Sequence, residues 1–220
     1  MNFARATIRS SPYVAIFSVV TDEFVLVPHS ILPKEIKVVE KELEVRVIKA
    51  NIGSTSLLGV LAKGLGNKII VSNIIEDSEI KALEKEGIEV LKLNGFSSTG
   101  NLIAMNQNGG IASPLISEKS QKEIENFLGI KFKKMLIAGT DLPGAAITVT
   151  NKGFIAHPNI TEKDFSLLKS TFKVNGSATT ANYGDLFVGN SVIGNSKGVL
   201  AGNLTSGIEL SKIDEGMRGE

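Results

Sequence analysis

Few residues of this 220-residue sequence have the type and spacing that covalent chemistry needs. Cysteine is absent, which removes thiol nucleophiles, disulfides and thiolate metal sites together. The two histidines, His29 and His157, each border a proline, Pro28 and Pro158. Neither has a second histidine or a carboxylate at a ligand spacing, so both read as structural. Asp22, Glu23, Asp141, Asp185 and Asp214 contain no pair with the spacing of an acid–base motif. Gly194-Asn-Ser-Lys-Gly198 matches a nucleophile elbow in pattern, but that chemistry needs an acid and then a histidine downstream, and no histidine follows Ser196. Gly64-Leu-Gly-Asn-Lys68 lacks the third glycine of a dinucleotide loop and the Gly-Lys-Ser/Thr of a nucleotide loop. Both stretches read as hairpin turns. No catalytic, cofactor or metal site is expected.

What remains is a recurring set of mostly neutral polar residues. Ser97, Ser98, Thr99 and Asn101 precede one hairpin, Asn106, Gln107 and Asn108 fill its turn, and Asn151 and Lys152 occupy the matching turn of the next unit. Ordinary loop polarity produces such a set, and so does a binding face at one edge of a repeat ring.

These positions belong to a repeat. Five segments share a strand, a tight polar turn, a second strand and a closing Pro or Asn, at Pro28, Asn73, Pro114, Pro158 and Asn203. Asn108-Gly109, Lys152-Gly153 and Lys197-Gly198 suit the positive φ of tight turns. After each hairpin comes a helical period, clearest over 77–86, 117–128 and 161–171 and weaker over 33–42 and 206–215. Short strands are expected next, at 44–48, 88–93, 130–135 and 172–174, followed by small residues and a second glycine at Gly59, Gly100 and Gly144. The fifth unit lacks its last strand, and residues 3–8 are free to supply it and close a ring without sheet edges. The expectation is one domain over 1–220, made of units at approximately 10–53, 54–95, 96–139, 140–182 and 183–217. Its small residues would converge on the axis.

Composition sets the limits on partners. An apolar content of 42% is enough for a core without staples. The 24 basic and 23 acidic residues leave a net charge of +1, so phosphate attraction is not the main source of binding. Lys131, Lys133 and Lys134 cluster, but the first two alternate along a strand face, as solvated lysines do. No run approaches the roughly 18 apolar residues of a membrane span, and no signal peptide is visible. A soluble, cytoplasmic monomer that does not touch membranes is expected.

Ile48-Lys-Ala-Asn-Ile-Gly-Ser-Thr-Ser-Leu-Leu-Gly59, Gly100-Asn-Leu102 leading to Ala112-Ser-Pro114, and Asn151-Lys-Gly-Phe-Ile-Ala-His-Pro158 resemble the translation initiation factor 6 family of archaea and eukaryotes. The resemblance runs from about Arg9 to Met217. The chain stops at Glu220, soon after the fifth helix, so the archaeal form is expected. The resemblance implies an α/β pentein fold, also called an α/β propeller, in which five ββαβ units form a pseudo-symmetric ring. It implies binding to the large ribosomal subunit, chiefly to a ribosomal protein near the sarcin–ricin loop with a minor rRNA contact. The small subunit is then sterically prevented from joining. Asn101 matches an interface position of the family; Ser98, Thr99, Asn106, Gln107, Asn108, Asn151 and Lys152 extend that interface by neighbourhood. Two rivals stand beside this reading. One is a large-subunit assembly factor that leaves joining intact. The other is a guanidine-modifying pentein enzyme, which the missing cysteine nucleophile disfavours.

Overall fold

The computed structural model describes all residues, Met1–Glu220. Apolar residues flanking short polar turns pair into five antiparallel hairpins: β2 (Val19–Val20) with β3 (Phe24–Pro28), β5 (Ala62–Leu65) with β6 (Lys68–Ser72), β8 (Ile103–Asn106) with β9 (Gly109–Ala112), β11 (Ile147–Val149) with β12 (Phe154–Ala156), and β14 (Val192–Gly194) with β15 (Gly198–Gly202). A helix follows each hairpin: α1 (Pro33–Leu43), α2 (Asp77–Lys85), α3 (Glu118–Leu128), α4 (Glu162–Phe172) and α5 (Gly207–Arg218). Four of them lead into a strand that lies parallel to its own hairpin: β4 (Arg46–Ala50), β7 (Glu89–Leu93), β10 (Phe132–Lys134) and β13 (Gly176–Ala178). The third strand beside β15 is β1 (Asn2–Ala6), also parallel. Five three-stranded sheets result, in the α/β ring of the pentein class.

The strand after α4 lies farther along than 172–174. Phe172 still belongs to the helix, which ends where Lys173 turns left-handed (φ 54°). The aromatic at 172 is there because it closes a helical face onto Phe154, with ring centroids 5.7 Å apart. Helix starts are fixed locally: the hydroxyls of Ser117, Thr161 and Ser206 accept the N–H groups of Ser120, Asp164 and Glu209.

The core sits at the seams between units. Phe24 and Leu26 of the first unit cluster with Leu58 and Ile69 of the second, and Ile70 clusters with Ile103 and Ile124 of the third. The pattern continues around to Ile193 and Leu200, which pack with Val25 and Val39 of the first unit. The middle strands β3 and β15 are buried throughout, so their sequences run apolar without alternation. Polar latches cross the same seams. The Asn106 carboxamide donates to the carbonyls of Thr150 (3.0 Å) and Phe172 (2.9 Å), and Asn195 does the same to Thr21 (3.3 Å) and Leu43 (2.8 Å). The Lys68 ammonium plays this part in the second unit, reaching Phe127 O at 2.8 Å. Each latch satisfies a carbonyl at the C-terminal end of the next unit's helix, where intrahelical partners run out.

Candidate interaction face at one mouth of the ring

Five strands, β2, β5, β8, β11 and β14, line the axis, so the residues before and after each strand emerge at opposite mouths of the ring. One mouth is built by the hairpin turns. The other is built by five short helices, Val14–Phe17, Leu58–Leu61, Thr99–Leu102, Pro143–Ala146 and Val188–Ser191. These helices touch backbone to backbone. A Cβ on Gly59 would lie 1.8 Å from Ala15 O, on Gly100 1.9 Å from Gly59 O, on Gly144 2.0 Å from Gly100 O, and on Gly189 2.3 Å from Gly144 O. Only glycine permits that approach, which accounts for the recurring second glycine and adds Gly189 to it.

The polar set read from the sequence divides between the mouths. Ser98 and Asn101, both half-buried, stand at the short-helix mouth. Gln107, Asn108, Asn151 and Lys152 stand at the hairpin mouth, where Asn151 links three turns: its Oδ1 accepts the Gln107 N–H (3.0 Å) and its Nδ2 donates to Asp22 (2.7 Å). Asp22 also accepts the Ser196 N–H and hydroxyl, at 2.6 and 2.9 Å, so the Gly-x-Ser-x-Gly serine is a turn residue. The separation follows from β8, whose four extended residues span about 13 Å between Asn101 and the turn. Two of the expected contact residues are interior. Thr99 is fully buried, and Asn106 is the latch described above.

The two mouths differ in surface chemistry. Ten large apolar side chains are well exposed: Tyr13, Leu32, Leu57, Ile74, Leu115, Leu136, Tyr183, Leu186, Leu204 and Ile208. All ten fall before a short helix, after a middle strand, or near the start of a long helix, and therefore around the short-helix mouth. Tyr183, at the tip of a turn, is 85% exposed. This concentration of exposed apolar side chains, together with Asn101 and Ser98, makes the short-helix mouth the candidate interaction face. The hairpin mouth presents Asp22, Glu23, Lys68, Gln107 and Asn151 around a cavity of about 450 Å³. A sequence signal for the apolar rim existed: Ile74, Leu115 and Leu204 each directly follow the Pro or Asn that marks the repeat.

The eIF-6 family model matches residues 3–216. Translation initiation factor 6 of Pyrococcus abyssi is 37% identical over 224 residues, covering 99% of both chains. That of Methanobrevibacter smithii is 33% identical over 214 residues, covering 97% of this chain and 96% of its own. The chain belongs to the eIF-6 family. Among solved structures, a dimethylarginine dimethylaminohydrolase is 15% identical with a TM-score of 0.47, covering 93% of this chain and 74% of that one.

In this eIF-6 family member the turns around the short-helix mouth are braced by carboxylates, two of them, Glu35 and Glu209, buried and the third, Glu79, half-buried. Glu209 accepts the Thr180 hydroxyl (2.7 Å) and the N–H groups of Gly184 (2.8 Å), Ser206 (2.7 Å) and Tyr183 (3.2 Å). Burial works to raise its carboxyl, but the Ser206 N–H, the Thr180 hydroxyl and the Gly184 N–H outweigh burial and hold it at about 2. Glu35 serves Thr7, Arg9, Ser10 and Leu32 in the same way; burial opposes its ionisation and the four donors together lower it. Glu79 holds Gly53 and Ser54. Each carboxylate ties the first turn of a long helix to a preceding turn whose residues have positive φ, such as Arg9 (56°), Ser10 (60°) and Ser54 (59°). His157 is interior, edge-on to Phe187, and its Nδ1 accepts the Asn159 N–H at 3.1 Å. Burial lowers its pKa, against a smaller upward pull from Asp185. Lys131 pairs with Glu125 at 2.8 Å and Lys134 with Glu118 at 2.7 Å, each pair joining one exposed side chain to one largely covered one. No group of three or more His, Cys, Asp or Glu is placed to hold a metal, and no helix is long and apolar enough to cross a membrane.

Proposed function

We propose that this protein binds the large ribosomal subunit through the short-helix mouth and, by covering that site, keeps the small subunit from joining. The observation that carries the reading is the collection of every well-exposed large apolar residue around the mouth that holds Asn101. The family resemblance implies a ribosomal protein near the sarcin–ricin loop as the main contact, and a net charge of +1 agrees with rRNA being a minor one. Ser98 and Asn101 belong to this interface. Gln107, Asn108, Asn151 and Lys152 would face away from it, with Asn106 interior at that far end, and Thr99 would support it from inside. The five units act as one domain and one cytoplasmic monomer.

The mechanism is exclusion and needs no catalytic step, nucleotide or metal. Two bodies compete for one surface, so the block depends on factor concentration relative to its dissociation constant. The rigid carboxylate-braced turns favour binding because little is ordered on contact.

The test is capture of purified large subunits by wild-type protein and by variants of each mouth. Leu57→Asp and Asn101→Arg are expected to weaken capture at least 10-fold, as interface anchors do. Lys152→Glu, at the other mouth, is expected to leave it unchanged. Loss of capture with Lys152→Glu alone would reverse the assignment of the face.

A further inference from the structure

The axis of the ring encloses a chamber of about 60 Å³, closed at one end by the short helices. By volume it holds about four waters. Among its lining residues Lys63 is the single charged one; no carboxylate reaches it. Lys63 extends from β5 into the middle of the ring, where protein atoms crowd it on all sides while the chamber itself keeps part of the side chain accessible. Its ammonium has neither an ion-pair partner nor a hydrogen bond within the fold. Asn101 and Asn190 line the same chamber. Their backbone N–H groups are used inside the short helices, at 3.0 Å to Ser98 O and 2.9 Å to Phe187 O, while their carboxamides have no protein partner. The other polar lining groups are spent: the Ser18 hydroxyl donates to Val14 O at 2.8 Å and the Thr148 hydroxyl to Val192 O at 2.9 Å.

We infer that the axial chamber binds a single small monovalent anion of the halide class, held by the Lys63 ammonium with the Asn101 and Asn190 carboxamides as neutral donors. A lone cation in a narrow chamber is partly desolvated, which is costly unless a counter-charge accompanies it, and none of the chamber's lining residues supplies one. Burial alone lowers the lysine to about 8, so the ammonium is still mostly protonated at neutral pH and the counter-charge is needed there. One cation and two neutral donors match one negative charge; a divalent anion would leave the chamber net negative. The volume excludes organic anions of substrate size.

The experiment compares thermal unfolding of the intact protein in sodium chloride, sodium bromide and sodium gluconate at constant ionic strength. Wild type is expected to show a rise in Tm that saturates with chloride or bromide, on the pattern of ligand linkage, and no such rise in gluconate. Lys63→Met keeps length and packing, removes the charge, and is expected to lose the saturable rise. Crystals grown in bromide give an independent reading, with an anomalous peak expected within hydrogen-bond distance of Lys63 Nζ. Equal Tm in all three salts, a saturable rise that survives Lys63→Met, or a chamber without a bromide peak would each overturn the inference.

Discussion

Replacing Glu209 by glutamine isolates the brace beneath Tyr183, the most exposed aromatic of the proposed face. The carboxylate is 7% exposed and accepts four hydrogen bonds, three of them from backbone N–H groups. Its folded pKa of about 2 lies below the usual 4.5. At about 1.4 kcal/mol for each tenfold change in acidity, that difference makes ionised Glu209 worth about 3 kcal/mol of stability. The direction follows from the depressed value. The contribution is complete above pH 4.5, where the unfolded chain is ionised too, and is lost as pH falls from 4.5 toward 2. Glutamine keeps one acceptor oxygen and turns an NH₂ toward backbone donors, so the loss at pH 7 should approach the full figure. Urea unfolding of both proteins at a series of pH values between 3 and 7 measures it. The expected gap is about 3 kcal/mol at pH 7, constant down to about pH 5 and shrinking below, because the other carboxylates titrate alike in both proteins and cancel in the difference. A gap that stays constant down to pH 3, or one below about 0.5 kcal/mol at pH 7, would refute the brace.

Gly144→Ala places a Cβ 2.0 Å from Gly100 O and forces the short helices apart. It should cost about 3 kcal/mol in denaturant unfolding, with Gly87→Ala, where a Cβ meets open space but φ is +78°, costing about 1 kcal/mol. Asn106→Ala takes the donor from the Thr150 carbonyl and one of two donors from the Phe172 carbonyl, which keeps the Asn108 carboxamide at 2.9 Å, and should lower stability by about 2 kcal/mol. Its effect on large-subunit capture, measured below the unfolding transition, should be under twofold, since the side chain is interior. Tyr183→Ser should weaken capture without lowering Tm, since an 85% exposed ring contributes little to the fold.

The hairpins and long helices were legible because their causes are local. Polar turns flanked by apolar runs, a Thr or Ser at the cap and a Gly at the end each act within a few residues, and the repeat multiplied every signal five times. The end of α4 was not legible, because Phe172-Lys-Val174 is as apolar and β-branched as a short strand; the helix wins through packing of Phe172 on Phe154, a contact from another part of the chain. The short helices were missed for a related reason. Segments such as Pro143–Ala146 are too short for a period, and their trace in the sequence was only the glycine spacing at Gly59, Gly100, Gly144 and Gly189. Polarity misled at the candidate site. Asn106 and Thr99 have the composition of a binding loop, yet Asn106 is polar to satisfy helix-end carbonyls across a seam. The residues that mark the face are apolar, and exposure of an apolar residue cannot be read until the strand directions are known.

The central claim is tested most directly by sedimenting purified large and small ribosomal subunits through a sucrose gradient with increasing amounts of this protein. Co-migration with the large subunit and a progressive loss of joined particles, both weakened by Asn101→Arg, is the predicted result. Undiminished joining with the protein bound to the large subunit would contradict the account and leave a role in subunit assembly.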